Sequence, residues 1–498
     1  MSKSRMARLC ALALCVLLAL GACLPARAQA EEETGRDKYD LAIEVSLAEQ
    51  LVRVTETLEY TNRTGAELNG MMFCVYANTL RRQTSVPVEA DLFSCAFPEG
   101  YAPGGVDFMS VQVNGEAAEW GVQGSSESFL RVECHLEPGE TALFRFDFYV
   151  LLPVYSGAMG IGDLTWRLTN FYPVAAVWDE YLQDFPLNGY TAMTEPLFSD
   201  AADYHATISL PETYHLAAPG DVRATTDQSG MVHYDIQAEG VRELALIFSR
   251  KTTDRTETLD SGVTVRALGN TRQNAEKMKS LAADALSWME HVLGAYPWPT
   301  LTLIETEYLY EGASYPGVIQ VSSDALKGDA DALHDLIYNL VAHQYFSGIV
   351  GNSRGSAAWL SETLSSYMAL LSYMDRDGNN ERYLKRFNRQ ILPSLQITIP
   401  GGVTPDSSTE RFTSRMEFEL VVIDRGCVVL HDIQSSMGYE KFLSALKLYV
   451  ERMHFKNATA ADLLEILNEV SGRRWDEFLY GQMHNMNDFL TEKIEWYE

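Results

Sequence analysis

The chain has 498 residues, and its 39 lysines and arginines face 68 aspartates and glutamates, a formal net charge of −29. A surface of that sign repels phosphate backbones, which excludes nucleic acid as an expected partner. Hydrophobic residues make up 46% and aromatics 11%, a composition that excludes a fibrous or disordered protein, and the length leaves room for about three domains.

The N-terminus carries an address. Lys3, Arg5 and Arg8 precede an apolar run from Leu9 to Leu20, and small residues follow. This is the layout of an export signal, and the run is too short to span a bilayer. Two endings compete. Ala28-Gln29-Ala30 before Glu31 fits a signal-peptidase site, whereas Leu20-Gly21-Ala22-Cys23 fits a lipobox that would leave a lipid on Cys23. Either ending predicts an exported chain, extracellular or lipid-anchored at the cell surface. Membrane contact is then expected only through the signal or that lipid. Beyond this region lie Cys74, Cys95, Cys134 and Cys427, with no C-x-x-C pair that would suggest a thiolate zinc site. Export permits disulfides, and a Cys74–Cys95 bridge would close the shortest loop. The alternative is four small buried hydrophobes.

In chain order, strands come first. Tyr39–Val45 and Val52–Tyr60 alternate in period two, and Asn62-Arg63-Thr64-Gly65 reads as the turn after them. Further strands are predicted around 71–76, 129–134, 141–150, 204–210 and 244–248. Many short strands between turns predict an all-β sandwich or saddle-shaped domain over 31–255, after the signal at 1–30. Near residue 271 the pattern changes. Met278, Leu281, Ala285, Leu286, Met289 and Val292 form one helical stripe. Leu301–Glu305 and Val318–Val321 read as strands, and 331–348 and 357–373 as long helices, giving an α+β domain over 256–375. The rest, 376–498, reads as mostly helical, including 444–453 and 460–470. The fold class is therefore multidomain.

The informative stretch is Asn339-Leu340-Val341-Ala342-His343-Gln344-Tyr345-Phe346, followed by Gly351-Asn352 and then Trp359-Leu360-Ser361-Glu362. Residues four apart on a helix lie within about 40° of each other, so Asn339 and His343 share a face. A glutamate from the next helix can approach that face. Histidines at i and i+4, a base after the first, and this later glutamate form the zinc-hydrolase pattern H-E-x-x-H…E.

In that frame the chain resembles the gluzincin aminopeptidases of the membrane-alanyl and leukotriene-A-hydrolase type. The resemblance extends to Gly294-Ala295-Tyr296-Pro297-Trp298-Pro299, to Gly312-Ala313-Ser314-Tyr315-Pro316-Gly317 and to Asp424-Arg425-Gly426. It implies a thermolysin-like central domain and a cleft. It places His343 at the second histidine ligand and Glu362 at the glutamate ligand. Asn339 stands at the first histidine position and Leu340 at the general base. Ser314 stands where the family grips the substrate amine, and Ile423 where it has a tyrosine that stabilises the tetrahedral intermediate. Tyr315, Tyr345, Trp359 and Arg425 are candidates to line the cleft.

Asn offers zinc a neutral, weak donor, and Leu340 cannot take a proton. Losing a general base costs roughly 10²–10⁴ in rate, and losing an oxyanion donor on the order of 10²–10³. The expectation is therefore a zinc-peptidase homologue without catalytic residues and without a required cofactor. Zinc would bind weakly if at all, on His343 and Glu362. The cleft is expected to hold a peptide or protein ligand. The alternatives are a residual metallohydrolase that recruits a third ligand, and a structural subunit of an exported complex.

Overall fold

Period-two alternation organises the first half of the chain. Lys38–Ser46 and Leu51–Thr61 pair antiparallel. Tyr39, Leu41 and Ile43 of one, and Val52, Val54 and Leu58 of the other, turn inward and are buried. The turn after them is set by Asn62, whose side-chain oxygen accepts from the Thr64 amide at 3.0 Å, a bond that lets asparagine imitate a backbone turn. These two strands are the middle of an eight-stranded sheet in the computed structural model, which describes residues 35–196, 198–377, 380–399 and 402–484. The expected signal at 1–30, with Cys23, lies outside the described residues.

Two four-stranded sheets complete the N-terminal domain. One contains Met71–Cys74, and its Phe73 ring stands 5.0 Å from Phe146 and 5.3 Å from Phe144 of the large sheet. Edge-to-face rings of this kind add to the area they bury and fix the sheets face to face. Cys74, Cys95, Cys134 and Cys427 are all unpaired. The Cys74–Cys95 bridge is not made because Cys74 is buried within its strand while Cys95 is exposed.

The central sheet has five strands in the order Thr253–Thr258, Thr264–Gly269, Thr300–Thr306, Val318–Ser322, Gly312–Tyr315. The boundary drawn at 255 falls inside the first of them. The middle three run parallel, and the last forms an antiparallel edge. Helix α1 (Arg272–Leu293) starts at Thr271, which accepts from the Asn274 amide at 3.1 Å. It ends at Gly294, whose φ of 113° suits a residue without a Cβ. Its face of Met278, Ala282, Leu286 and Met289 is buried. Helix α2 (Ala330–His343) is capped by Asp329 and runs directly into a π-helical turn, Gln344–Ile349. Helix α3 is Trp359–Asp377.

The C-terminal segment is helical as expected, with Gly426–Met437, Tyr439–Arg452, Ala460–Ser471 and Asp476–His484. The architecture is an N-terminal β-rich domain, a central α+β domain and a helical end. Among the described residues no helix is long and apolar enough to cross a membrane.

Candidate functional site

Two polar rungs join α2 to α3. Asn339 Nδ2 donates to Ser366 Oγ at 2.9 Å, and His343 Nε2 stands 3.5 Å from Glu362 Oε2. Each rung is i, i+4 on its own helix and the order reverses between helices, so the helices run antiparallel with matching faces. His343 is buried, as expected of a residue on the inner face. Its carbonyl accepts from Ser347 Oγ at 2.8 Å.

Glu362 has a second partner. Thr194, on the connection between the strands Val174–Ala175 and Ala202–Pro211 of the N-terminal domain, donates to Glu362 Oε1 at 2.6 Å. Burial alone would push this carboxyl up. The adjacent His343, the Arg354 guanidinium and the Thr194 hydroxyl outweigh burial and hold it at about 2.

Ser314 and Gln344 fix the edge strand against α2. Ser314 Oγ donates to the Leu340 carbonyl at 2.8 Å and accepts from Gln344 Nε2 at 2.6 Å. The same Gln344 amide group donates to the Tyr315 carbonyl at 2.9 Å, and its oxygen accepts from the Gly317 amide at 2.9 Å. The same oxygen also accepts from the Tyr296 hydroxyl at 3.2 Å, so the side chain makes all four bonds open to an amide.

A cavity of about 980 Å³ opens beside these residues, with Asn339, Leu340, Glu362, Ser366 and Ile423 on its wall. A smaller pocket of about 100 Å³ continues it to His343, Thr194, Ser314 and Arg354. The large cavity is acidic. Glu311, Asp324, Asp329, Asp335, Glu362 and Glu419 face it, against Arg386 and Arg415. On the wall of the small pocket Glu195 accepts from Tyr190 at 3.1 Å and from Tyr308 at 3.3 Å. Burial raises the Glu195 carboxyl, against the Arg354 charge and these hydroxyls. Glu243 is buried with one oxygen lacking a hydrogen-bond partner. Burial first, then the Glu195 charge, pushes it up to about 8 against the pull of Arg354.

The donor set does not fit a resident zinc ion. A hydrolytic zinc takes three protein ligands and a water. His343 and Glu362 supply two. The Asn339 amide nitrogen is turned to Ser366, and Leu340 brings no donor. Among the described residues no group of three or more His, Cys, Asp or Glu side chains is arranged to hold a metal.

The structure thus gathers His343, Glu362, Asn339, Leu340, Ser314 and Ile423 around one cleft. It excludes four other candidates from that wall. Tyr315 follows Ser314 on a strand and so faces the opposite side. It is buried, and its hydroxyl accepts from Gln320 Nε2 at 3.0 Å. Tyr345 is two residues beyond His343, about 200° around the helix, and its hydroxyl donates to the Gly294 carbonyl at 2.9 Å. Trp359 is buried in the main core, where a ring of that size contributes most. Arg425 is buried two residues past Ile423, with its guanidinium on the Ser394 and Ile397 carbonyls.

Sequence reasoning misses Thr194, Ser366, Gln344, Arg354 and Glu195. Ser366 carried a usable signal, because it stands four residues past Glu362 just as His343 stands four past Asn339. Thr194 and Glu195 carried none, because no periodicity marks the connection they lie on.

Residues 279–487 match the model of the "Peptidase family M1 domain". Over 134 residues the chain is 28% identical to aminopeptidase M1-C of Oryza sativa subsp. japonica, covering 26% of this chain and 15% of that protein. Over 181 residues it is 25% identical to glutamyl aminopeptidase of Rattus norvegicus, covering 35% of this chain and 18% of that protein. The matched stretch is thus under a fifth of either relative's length. Among solved structures, a mutant M1 zinc metallopeptidase from Deinococcus radiodurans superposes with a TM-score of 0.65 at 18% identity, covering 90% of this chain and 94% of that one. At that identity the likeness shows the shared fold.

Proposed function

The chain belongs to the gluzincin aminopeptidases of peptidase family M1, and we propose that it is a non-hydrolysing member, an exported protein whose cleft holds a peptide or a protein segment without cutting it. The observation that carries this reading is Leu340 on the cleft wall, next to Asn339 and one turn before His343. Where the family pattern needs a proton acceptor, the side chain is a hydrocarbon. Asn339 and Ser314 stand at two further positions of that pattern and spend their polar groups on Ser366, Leu340 and Gln344. The acidic wall of the large cavity favours a ligand carrying basic side chains or a free amine. Export rests on the N-terminal signal pattern, with either cleavage after Ala30 or a lipid on Cys23.

One observation favours a second reading. His343 and Glu362 stay 3.5 Å apart on facing helices, so a metal completed by a recruited ligand and water would bind weakly there and support residual hydrolysis. Turnover of aminoacyl-anilide substrates by the zinc-supplemented chain separates the two. Non-hydrolysis predicts no rate above that of Glu362→Ala. A metal-dependent rate abolished by both His343→Ala and Glu362→Ala would establish the second reading.

A further inference from the structure

Basic residues are the minority in this chain, 39 against 68 acids, yet four of them crowd the stretch 382–389. Arg382, Lys385 and Arg386 lie in the helix Asn380–Arg386, and Arg389 in the π-helical turn Phe387–Ile391 that extends it. Spacings of three and four residues set all four on one face. With Asp331 and Gln390 they line a pocket of about 250 Å³ at the rim of the acidic cavity, whose wall shares Arg386 and Gln390. Like charges at i and i+4, as in Arg382/Arg386 and Lys385/Arg389, destabilise a helix. Asp331 and Asp335 relieve the conflict at Arg382/Arg386, whereas no ion pair among the described residues relieves it at Lys385/Arg389, and local conflicts left standing are expected at functional sites. The π-helical turn agrees, since such turns recur at sites of function.

Two of the cations are held in place from behind. Arg382 Nη2 contacts Asp331 Oδ1 at 3.2 Å and Arg386 Nε donates to Asp335 Oδ1 at 3.2 Å. Both guanidinium groups lie over the Tyr373 ring, 4.9 Å and 5.1 Å from its centre. Tyr373 in turn donates its hydroxyl to Asp335 at 2.5 Å. Lys385 and Arg389 are exposed and make no ion pair among the described residues. The pocket therefore presents four cations, two held in place by Asp331 and Asp335 and two, Lys385 and Arg389, whose charge no carboxylate among the described residues pairs.

We propose that this pocket binds a phosphate group, as a phosphate monoester, diester or pyrophosphate. A monocarboxylate would satisfy a single guanidinium fork. A phosphate has the charge and the acceptor oxygens for several donors at once. The stripe is short and the rest of the chain is strongly acidic, so an extended polyanion would be repelled beyond it. The phosphate comes from a membrane lipid headgroup or from a free phosphorylated compound.

The test uses the full chain at low salt with two probes, inorganic pyrophosphate by calorimetry and phosphatidylglycerol vesicles in phosphatidylcholine by co-sedimentation. The variant is Lys385→Gln/Arg389→Gln. The control is Arg53→Gln/Arg223→Gln, which removes the same charge from side chains 51% and 70% exposed elsewhere. If the double variant is unstable, Arg389→Gln alone replaces it. We expect the wild type to bind, the variant to bind roughly tenfold more weakly and the control to match wild type. Site-dependent pyrophosphate binding identifies a free phosphate as the source, and site-dependent vesicle binding alone identifies a headgroup. Binding of neither probe, or a loss in the control equal to that in the variant, overturns the proposal.

Discussion

Buried carboxylates are treated in opposite ways by the α2–α3 cleft and by the N-terminal domain. At the cleft Glu362 is met by Thr194 and His343, and the neighbouring Asn339 and Ser314 are met by Ser366 and Gln344. In the strand domain Glu56 is fully buried with neither oxygen hydrogen-bonded, and Glu243 leaves one oxygen without a partner. Unsatisfied buried polar groups cost stability and often mark function. Here the positions that correspond to the family's chemistry are tied into the fold, and the carboxylate with neither oxygen hydrogen-bonded, Glu56, belongs to the strand domain. The cleft should therefore lose stability when its residues are removed, and the strand domain should gain.

The largest effect is expected from His343→Ala. It leaves the buried Glu362 carboxylate without its neighbour, a change that typically costs roughly 3–5 kcal/mol. Urea unfolding measures it, and a loss below about 1 kcal/mol would show that the pair is not structural. Glu56→Leu should act in the opposite direction. Replacing an unpartnered buried carboxyl by a hydrocarbon of similar size is expected to stabilise by about 1–3 kcal/mol, and a destabilised variant would mean that Glu56 has a partner when folded.

Glu243 makes the contrast depend on pH. Its carboxyl rises from 4.5 to about 8 on folding, so the folded chain keeps a proton that the unfolded chain releases. Its contribution to stability is complete below about pH 4.5 and is lost as pH rises toward about 8, with a slope near 1.4 kcal/mol per pH unit. Glu243→Gln should remove that slope from the stability–pH curve. An unchanged slope would assign it to other groups. The smallest expected effect is that of Ser366→Ala, about 1 kcal/mol for one hydrogen bond to Asn339. No loss would mean that water replaces the hydroxyl.

Much of this fold is legible in the sequence because burial follows local period. Tyr39–Val45 and Val52–Tyr60 alternate and become paired strands, and the stripe from Met278 to Val292 becomes α1. The i, i+4 relation of Asn339 and His343 and the distance to Glu362 suffice to bring these residues to one wall. The same arithmetic would have removed Tyr315, Tyr345 and Arg425 from that wall, each being one or two residues from a residue that faces the cleft. What could not be read is what arrives from far along the chain. Thr194 reaches Glu362 across 168 residues, and tertiary packing alone sets that meeting. The helix Gly426–Met437 was also hard to see, because its opening Gly-Cys-Val-Val-Leu run is apolar on every face and shows no stripe.

The most direct test of the proposed non-hydrolysing cleft is a zinc titration of the purified metal-free chain beside Glu362→Ala, read as bound zinc per chain. The expected result is no tight stoichiometric zinc in either protein. One tightly held zinc in the wild type, absent from Glu362→Ala, would contradict the proposal and return the chain to the hydrolases.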